Sequence, residues 1–215
     1  IRVKLDSGRE VCIFNVHLRP APYQPYQLLG IPYGNAPFIK TEQEAIASAQ
    51  EARGAQIAEL LGQIRALPDQ DTPVFVTGDF NEPSHLDWTE AAAESGRHPL
   101  KVAYPGSLAM EKAGFSDAWR VAYPDEMKLP GFTWTPLTKA DDPKDHHDRI
   151  DFVYFGNKDI ELNDVKIVGE DKGNADIVVS PYPSDHRAVV ASFTLSKQSN
   201  PGKPATSKPD AGDGK

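Results

Sequence analysis

Four short polar clusters contain the residues of this sequence whose types could do chemistry. They are Asn15-Val16-His17-Leu18, Gly78-Asp79-Phe80-Asn81, Arg149-Ile150-Asp151 and Ser184-Asp185-His186. Each lies close to an apolar, β-rich run, where a carboxylate that is buried without partners would cost free energy. We therefore predict that the clusters meet in one polar pocket at the ends of strands. Asp, Asn and His together suit a hard divalent cation and a phosphate ester.

The order of these clusters, N-x-H-L, G-D-F-N, R-I-D-F-V and S-D-H, resembles that of the endonuclease/exonuclease/phosphatase superfamily. This superfamily includes DNase I-like nucleases, exonuclease III-like repair enzymes, sphingomyelinases and inositol-polyphosphate 5-phosphatases. The resemblance covers residues 1–195. It implies an α/β (α+β) fold, a DNase I-like four-layered sandwich of two mixed β-sheets flanked by helices.

The resemblance also implies roles for individual residues in the hydrolysis of a phosphoester. Asp79 would orient or deprotonate the attacking water, and Asn81 would hydrogen-bond a non-bridging oxygen of the bound phosphate. His186 would stabilise the phosphate or act as an acid or base. His17 matches the second active-site histidine of DNase I-like and sphingomyelinase-like members, so it is also expected to bind substrate. Its presence disfavours the exonuclease III branch.

A metal ion and a second carboxylate complete the site that the resemblance implies. The metal would be Mg²⁺ or Mn²⁺, which prefer oxygen ligands, with Asp185 close to it. His186 would need a carboxylate that fixes its tautomer. Asp151 is favoured for this role, and Asp148 is the alternative, because both acids flank Arg149-Ile150.

The leading functional hypothesis is a divalent-metal-dependent phosphoester hydrolase, more specifically a nuclease-like phosphodiesterase. A phospholipid-headgroup phosphodiesterase similar to sphingomyelinase and a phosphomonoesterase are alternatives with related chemistry. A non-catalytic binding module on the same fold is an alternative of another class, which the intact acidic and histidine residues disfavour. The expected partner is a phosphoester, namely nucleic acid, a phospholipid headgroup or a small phosphodiester.

Length and composition limit these alternatives only in part. The chain has 215 residues, 39% of them hydrophobic and 25% charged, which fits one globular domain. Its net charge of −8 disfavours a protein that binds nucleic acid through bulk electrostatics. No apolar run approaches the ~18 residues of a membrane span. We expect a soluble monomer whose compartment is open, secreted and periplasmic locations included. Cys12 is expected to be a small buried apolar residue.

The two ends of the sequence carry separate expectations. The chain begins at Ile1 without a signal-peptide pattern, which indicates a removed leader or a piece of a longer protein. The resemblance favours the piece, because several strands and a metal-binding Glu precede the N-x-H-L strand in this superfamily. Residues 1–195 are then the C-terminal two-thirds of the domain with the N-terminal strands missing, and would be inactive and poorly stable alone. Residues 196–215 are predicted to be a disordered tail or linker.

Periodicity and turn residues predict the elements that position the clusters. Residues 1–5 and 10–18 form a hairpin, and five prolines make residues 19–40 a long loop without helix, whose contact with substrate is left open. An amphipathic helix begins at Thr41 or Glu42 and ends before Pro68. Further helices are predicted at 85–95, capped by Ser84, and at 105–112. Strands are predicted at 73–77, 131–135, 149–155, 160–168 and 187–195.

The remaining histidines and the tryptophans receive structural interpretations. His85 and His98 are predicted at the surface. His146-His147 is predicted in a solvated loop, with a substrate rim as the alternative. The three tryptophans are expected in the core, although Trp88 and Trp134 have stacking on a substrate as an alternative.

Overall fold

Two β-sheets and the helices beside them form the part of the chain that the computed structural model describes, residues 1–156 and 159–196. The helices are α1 (Gln24–Leu29), α2 (Glu42–Arg65), α3 (Glu90–Glu94), α4 (Pro105–Lys112) and α5 (Ala118–Ala122). The strands are β1 (Arg2–Lys4), β2 (Glu10–His17), β3 (Val74–Asp79), β4 (Ser116–Asp117), β5 (Asp151–Gly156), β6 (Ile160–Gly169), β7 (Ile177–Val178) and β8 (Ala188–Leu195). The predicted tail after Ser196 lies outside the described residues.

Both sheets are mixed. The larger has the strand order β1-β2-β3-β5-β4, in which β2 and β3 are parallel and the other neighbours are antiparallel. The smaller has the order β7-β6-β8, with β7 parallel and β8 antiparallel to β6. The prediction of an α+β architecture with two mixed sheets and helices is confirmed. In residues 1–156 and 159–196, no helix combines the length and apolarity needed to cross a bilayer.

The core lies on both faces of the larger sheet, because successive side chains of a strand project to opposite faces. On one face, helices α2 and α4 cover a cluster that includes Ile57, Leu60, Val76, Met110 and Tyr154. On the other face, the smaller sheet packs against the larger one. There the ring of Phe193 lies 4.9 Å from that of Phe75 and 5.1 Å from that of Phe155.

The predicted hairpin and the predicted long helix are confirmed. Strands β1 and β2 pair antiparallel across the turn at Gly8, which has a φ of 83°. Helix α2 begins with a capping box, in which Thr41 Oγ1 accepts from the Glu44 amide at 3.2 Å and Glu44 Oε2 accepts from the Thr41 amide at 3.0 Å. The hydroxyl and the carboxylate thus satisfy two amides of the first turn.

The proline-rich segment contains a helix, so the prediction of a loop without helix over 19–40 is wrong. Helix α1 has Pro25 in its first turn and ends at Gly30, which is left-handed at φ 70°. Proline is tolerated there because the first amides of a helix have no intrahelical acceptor. Prolines therefore excluded a helix interior but not a helix start.

Two other predicted elements are shorter than expected. The helix predicted at 85–95 covers only Glu90–Glu94, and Thr89 caps it by accepting from the Ala92 amide at 3.1 Å. Ser84 instead accepts from the Leu86 amide in the preceding turn. The strand predicted at 131–135 is reduced to Trp134, which forms isolated antiparallel β-bridges with Asp148 and with His186.

A buried arginine fixes the start of β5. Arg149 is 2% exposed, and its guanidinium nitrogens lie 2.7 Å from Asp87 Oδ2 and 2.7 Å from Asp117 Oδ2. Asp87 also pairs with Arg120 at 2.6 Å. Because unpaired charges are costly in a protein interior, this network restricts the position of the backbone next to Asp151.

Candidate active site

Three of the predicted site residues lie side by side across the larger sheet. His17 ends β2 and pairs in register with Asp79, which ends β3. Asp79 pairs in turn with Asp151, the first residue of β5. The parallel strands β2 and β3 end at the same end of the sheet at which the antiparallel strand β5 begins. The three side chains therefore form one row. His17 Nε2 lies 3.5 Å from Asp79 Oδ2.

His186 reaches this row from the segment before β8. Its Nδ1 lies 2.9 Å from Asp151 Oδ2, and its Nε2 lies 4.0 Å from Asp79 Oδ2. The Trp134 ring packs edgewise on the imidazole at 4.9 Å between centroids. The ring of His186 is thereby held between two carboxylates, and one of its nitrogens is engaged by Asp151.

The backbone around Asp79 is tightly constrained. Gly78 has a φ of 129°, and a Cβ there would lie 1.9 Å from the carbonyl oxygen of Val16, so only glycine fits. Asn81 has a φ of 48°, its amide donates to Asp79 Oδ1 at 2.7 Å, and its side chain donates to the Leu18 carbonyl at 2.9 Å. These contacts fix Asn81 in the pocket and leave its Oδ1 and second Nδ2 hydrogen without a protein partner among the described hydrogen bonds.

The two central carboxylates and the imidazole influence one another electrostatically. Burial and then the charge of Asp151 raise the pKa of Asp79 to about 6, against the opposing effect of its hydrogen bond with the Asn81 amide. Burial lowers the pKa of His186, but the hydrogen bond and charge of Asp151, together with the charge of Asp79, outweigh it and raise that pKa above its usual value. Asp79 is therefore mostly ionised at neutral pH and still able to accept a proton.

The donor set fits a divalent cation. Asp79, Asp151 and His186 each offer one ligand atom, and these atoms lie within 4.8 Å of one another. Two carboxylates close enough to raise a pKa are a place where a cation relieves repulsion. Asp185 is exposed, lines the same pocket, and is oriented by its carbonyl, which accepts from Thr135 Oγ1 at 2.8 Å.

Asp148, the alternative partner of His186, has other partners among the described hydrogen bonds. It is 2% exposed, and its carboxylate accepts from the Tyr23 hydroxyl at 2.7 Å and from Trp88 Nε1 at 2.9 Å. Burial raises the pKa of this carboxyl group. Of the two candidate acids, Asp151 is the one that hydrogen-bonds His186.

Two histidines that were predicted at the surface or in a solvated loop, His98 and His147, are buried, and His146 is partly buried. His98 is 3% exposed, stacks on Trp88 at 4.2 Å, and has its Nδ1 at 3.0 Å from His146 Nε2. His147 is also buried. These predictions are wrong because contacts with residues distant in sequence cover the rings. His85 is partly buried and contacts Ser107 and Glu111.

The four clusters open into one cavity of about 470 Å³, which His17, Asp79, Asn81, Asp151, Asp185 and His186 help to line. Its other wall consists largely of aromatic residues, Tyr23, Tyr26, Tyr33 and Trp134, with Pro20 and Ile150. Trp88 and Trp119 are core residues, as predicted, whereas Trp134 packs beside Tyr23 and Ile150 and also faces the cavity. The three tyrosines belong to segment 19–40, whose contact with substrate was left open because the segment follows the strand of His17.

A family profile decides the affiliation of the chain. The profile of the Endonuclease/Exonuclease/phosphatase family matches residues 13–186. The chain belongs to this family. The match runs from the β2 strand to the histidine of the last cluster, and so includes every residue of the candidate site.

Individual proteins are similar to the chain at lower identity. The uncharacterized protein F14F9.5 of Caenorhabditis elegans is 29% identical, with 91% of this chain and 63% of that protein covered. An endonuclease/exonuclease/phosphatase from Beutenbergia cavernae is 15% identical, with a TM-score of 0.50 over 90% of this chain and 38% of that one. D. rerio TDP2, solved with a single-strand DNA product, is 18% identical, with a TM-score of 0.49 over 90% and 60%. The chain thus spans less than two-thirds of the length of these proteins.

Proposed function

We propose that the protein is a divalent-metal-dependent phosphoester hydrolase, and more specifically a phosphodiesterase. The observation that supports this most is the row of His17, Asp79 and Asp151 with His186 above it, at the mouth of a cavity in a member of the Endonuclease/Exonuclease/phosphatase family. A hydrolase of this kind must orient a water molecule, stabilise charge on the phosphoryl group and supply a proton. The row provides groups for each requirement.

Asp79 is the group that orients the attacking water and accepts its proton. Its carboxylate is held by the Asn81 amide, and its pKa near 6 leaves it mostly ionised at neutral pH. Asn81 donates its free Nδ2 hydrogen to a non-bridging oxygen of the phosphate. The amide of Asn81 and the carboxylate of Asp79 are thus fixed relative to each other before substrate binds.

His186 and His17 bind the phosphate from its other sides. Asp151 accepts from His186 Nδ1, and it helps to raise the pKa of His186, which favours the protonated imidazolium. In that form Nε2 also carries a hydrogen and can donate to a phosphoryl or leaving-group oxygen. The His17 side chain is exposed, and its Nε2 lies 3.5 Å from Asp79 Oδ2. His17 can therefore contact a substrate that enters the cavity. Substitution of His186 or His17 would remove a hydrogen-bond donor to the negative charge that develops on the phosphoryl or leaving-group oxygen.

Mg²⁺ or Mn²⁺ would be held by Asp185 and Asp151, which leaves the Asp79 carboxylate for the attacking water. When bound, such an ion would offset negative charge on the phosphoryl oxygens. The charge of Asp151 beside Asp79 is one that a cation would offset, and the accessible Asp185 carboxylate, which lines the same cavity, would supply a further oxygen ligand.

The test is hydrolysis of bis(p-nitrophenyl) phosphate by the full-length protein. Activity should require Mg²⁺ or Mn²⁺, disappear with EDTA and return when the metal is added back. Asp79→Ala and His186→Ala should each lower kcat by at least ~10²-fold, the scale of losing an acid/base or charge-stabilising group. Glu161→Gln, an exposed acid on β6, is the matched control. Activity that persists in EDTA, or unchanged rates in both variants, would refute the proposal.

A further inference from the structure

The cavity beside the candidate catalytic row has an aromatic half that hydrolysis itself does not require. Tyr23, Tyr26, Tyr33 and Trp134 line it opposite the acidic and histidine residues. Its volume of about 470 Å³ is within the range of small-molecule sites. A phosphoryl group bound at Asp79 and His186 therefore has room beside it for a further group of the substrate.

One carboxylate fixes the orientation of this aromatic half. Asp145 accepts from the Tyr26 hydroxyl and from Trp134 Nε1, the latter at 3.2 Å, and Trp134 Nε1 lies 3.1 Å from the Tyr26 hydroxyl. Asp145 is itself held by Thr138, whose hydroxyl donates to it at 2.6 Å. The polar ends of both rings are thus occupied within the protein, and the surface they offer to a ligand is apolar ring surface.

Tyr33 extends this surface toward solvent. Its ring lies 5.9 Å from that of Tyr26 at 89°, and 42% of the residue is exposed. Its hydroxyl has no partner among the described hydrogen bonds, unlike those of Tyr23 and Tyr26. An exposed aromatic at the rim of a cavity, held against a fixed second ring, is a surface on which a flat ring can stack.

The charges in the cavity restrict what else the substrate can carry. The described residues that line it include three aspartates and two histidines but neither lysine nor arginine. A substrate with several phosphates would find no cationic side chain for the additional ones, since nucleic-acid binding depends on such contacts. The cavity therefore suits a single phosphoester attached to an uncharged group.

We propose that the aromatic half of the cavity binds a flat, uncharged ring joined to the phosphoester that is hydrolysed, and that Asp145 is the positioning residue for this subsite. The inference rests on the proposed function, because it takes the phosphoryl position from it. The class of substrate is a monophosphate ester or single phosphodiester of a ring-bearing alcohol, such as a phenol or a nucleoside.

Direct binding separates this inference from turnover. The full-length protein is titrated calorimetrically, with Mg²⁺ present, with phenylphosphonate, cyclohexylphosphonate, methylphosphonate and phosphocholine. Phenylphosphonate should bind at least about 3-fold more tightly than cyclohexylphosphonate, which has similar bulk but cannot stack. Equal affinity of these two, or tighter binding of phosphocholine through a cation–π contact, would overturn the proposal.

Variants locate the effect. Tyr33→Ala should weaken phenylphosphonate by about 3- to 10-fold and leave methylphosphonate unchanged, because only the ring contact is lost. Phe38→Ala is the matched control, since Phe38 is 55% exposed on the same segment but does not line the cavity. Equal effects of the two variants would count against the subsite.

The role of Asp145 is tested by a pair of substitutions. Asp145→Ala should raise KM for bis(p-nitrophenyl) phosphate and leave kcat almost unchanged, whereas Asp145→Asn, which keeps an acceptor oxygen for Tyr26 and Trp134, should restore KM. A fall in kcat without a change in KM would refute the positioning role. Absence of metal-dependent hydrolysis in the unmodified protein would defeat the proposed function instead, and the calorimetric comparison would still decide whether the ring subsite exists.

Discussion

Replacing Asp151 with Asn should remove the carboxylate that orients His186 while preserving the shape of the site. The wild-type contact joins His186 Nδ1 to Asp151 Oδ2 at 2.9 Å, and the charge of Asp151 helps to raise the pKa of the imidazole. A hydrogen bond to a charged group contributes about 1.5–3 kcal/mol. Because about 1.4 kcal/mol corresponds to a tenfold change in rate, kcat should fall by roughly 10- to 150-fold if the contact acts in the transition state.

The assay is steady-state hydrolysis of bis(p-nitrophenyl) phosphate with saturating Mg²⁺, together with thermal unfolding of each protein. Asp148→Asn is the comparison, since Asp148 lies three residues earlier and contacts Tyr23 and Trp88 rather than His186. It should lower the midpoint of unfolding and leave kcat per folded molecule nearly unchanged. A large loss of kcat in Asp148→Asn with normal turnover in Asp151→Asn would show that the pairing of His186 has been assigned to the wrong acid.

Three further predictions concern the metal, the buried arginine and the buried histidine. Asp185→Asn should raise the Mg²⁺ concentration for half-maximal activity by ~10-fold or more, and a metal titration equal to that of wild type would contradict this. Arg149→Met should lower the free energy of unfolding in urea by about 3–5 kcal/mol, because Asp87 and Asp117 stay buried. Lys166→Met, at a solvent-exposed ion pair, should have a much smaller effect. Burial, with the charges of His146 and Arg97, lowers the pKa of His98 to about 3. Below the ordinary histidine pKa of about 6.5, the unfolded chain therefore takes up a proton that the folded protein does not. As the pH is lowered from about 6.5 to about 3, the free energy of unfolding should decrease by up to about 1.4 kcal/mol per pH unit. Urea unfolding at several pH values should show a shallower loss in His98→Asn, and parallel curves for the two proteins would disprove the contribution.

The parts of the fold that were predictable depend on local signals. Alternation located the hairpin of β1 and β2, apolar β-rich runs located β3, β5, β6 and β8, and amphipathic periodicity that stops at Pro68 located α2. Helix α1 was missed because proline density was applied to the whole segment, although Pro25 lies in a first turn. Thr89 and Ser84 have equivalent capping chemistry. Which of them begins a helix depends on the backbone conformation of the residues that follow it.

The parts of the site that were not predictable depend on contacts between distant residues. The clusters were expected to meet because all of them lie at strand ends. The choice between Asp148 and Asp151 required the pairing of β3 with β5. The aromatic half of the cavity depends on the contact of Tyr26 with Asp145, 119 positions away. The burial of His98 depends on His146, 48 positions away. No local pattern records such contacts.

The row formed by His17, Asp79 and Asp151 depends on the pairing register of three strands. The site should therefore tolerate insertions in the connections between these strands but not a change in their register. Parts of the connections between these strands, such as residues 68–71, are exposed loop, so insertions there would leave the row in place. A shift of one residue in the pairing of β2 or β5 with β3 would instead move a member of the row to the opposite face. Diversification of such a protein is therefore expected in the length and composition of its connections, while the register of three strands stays constant.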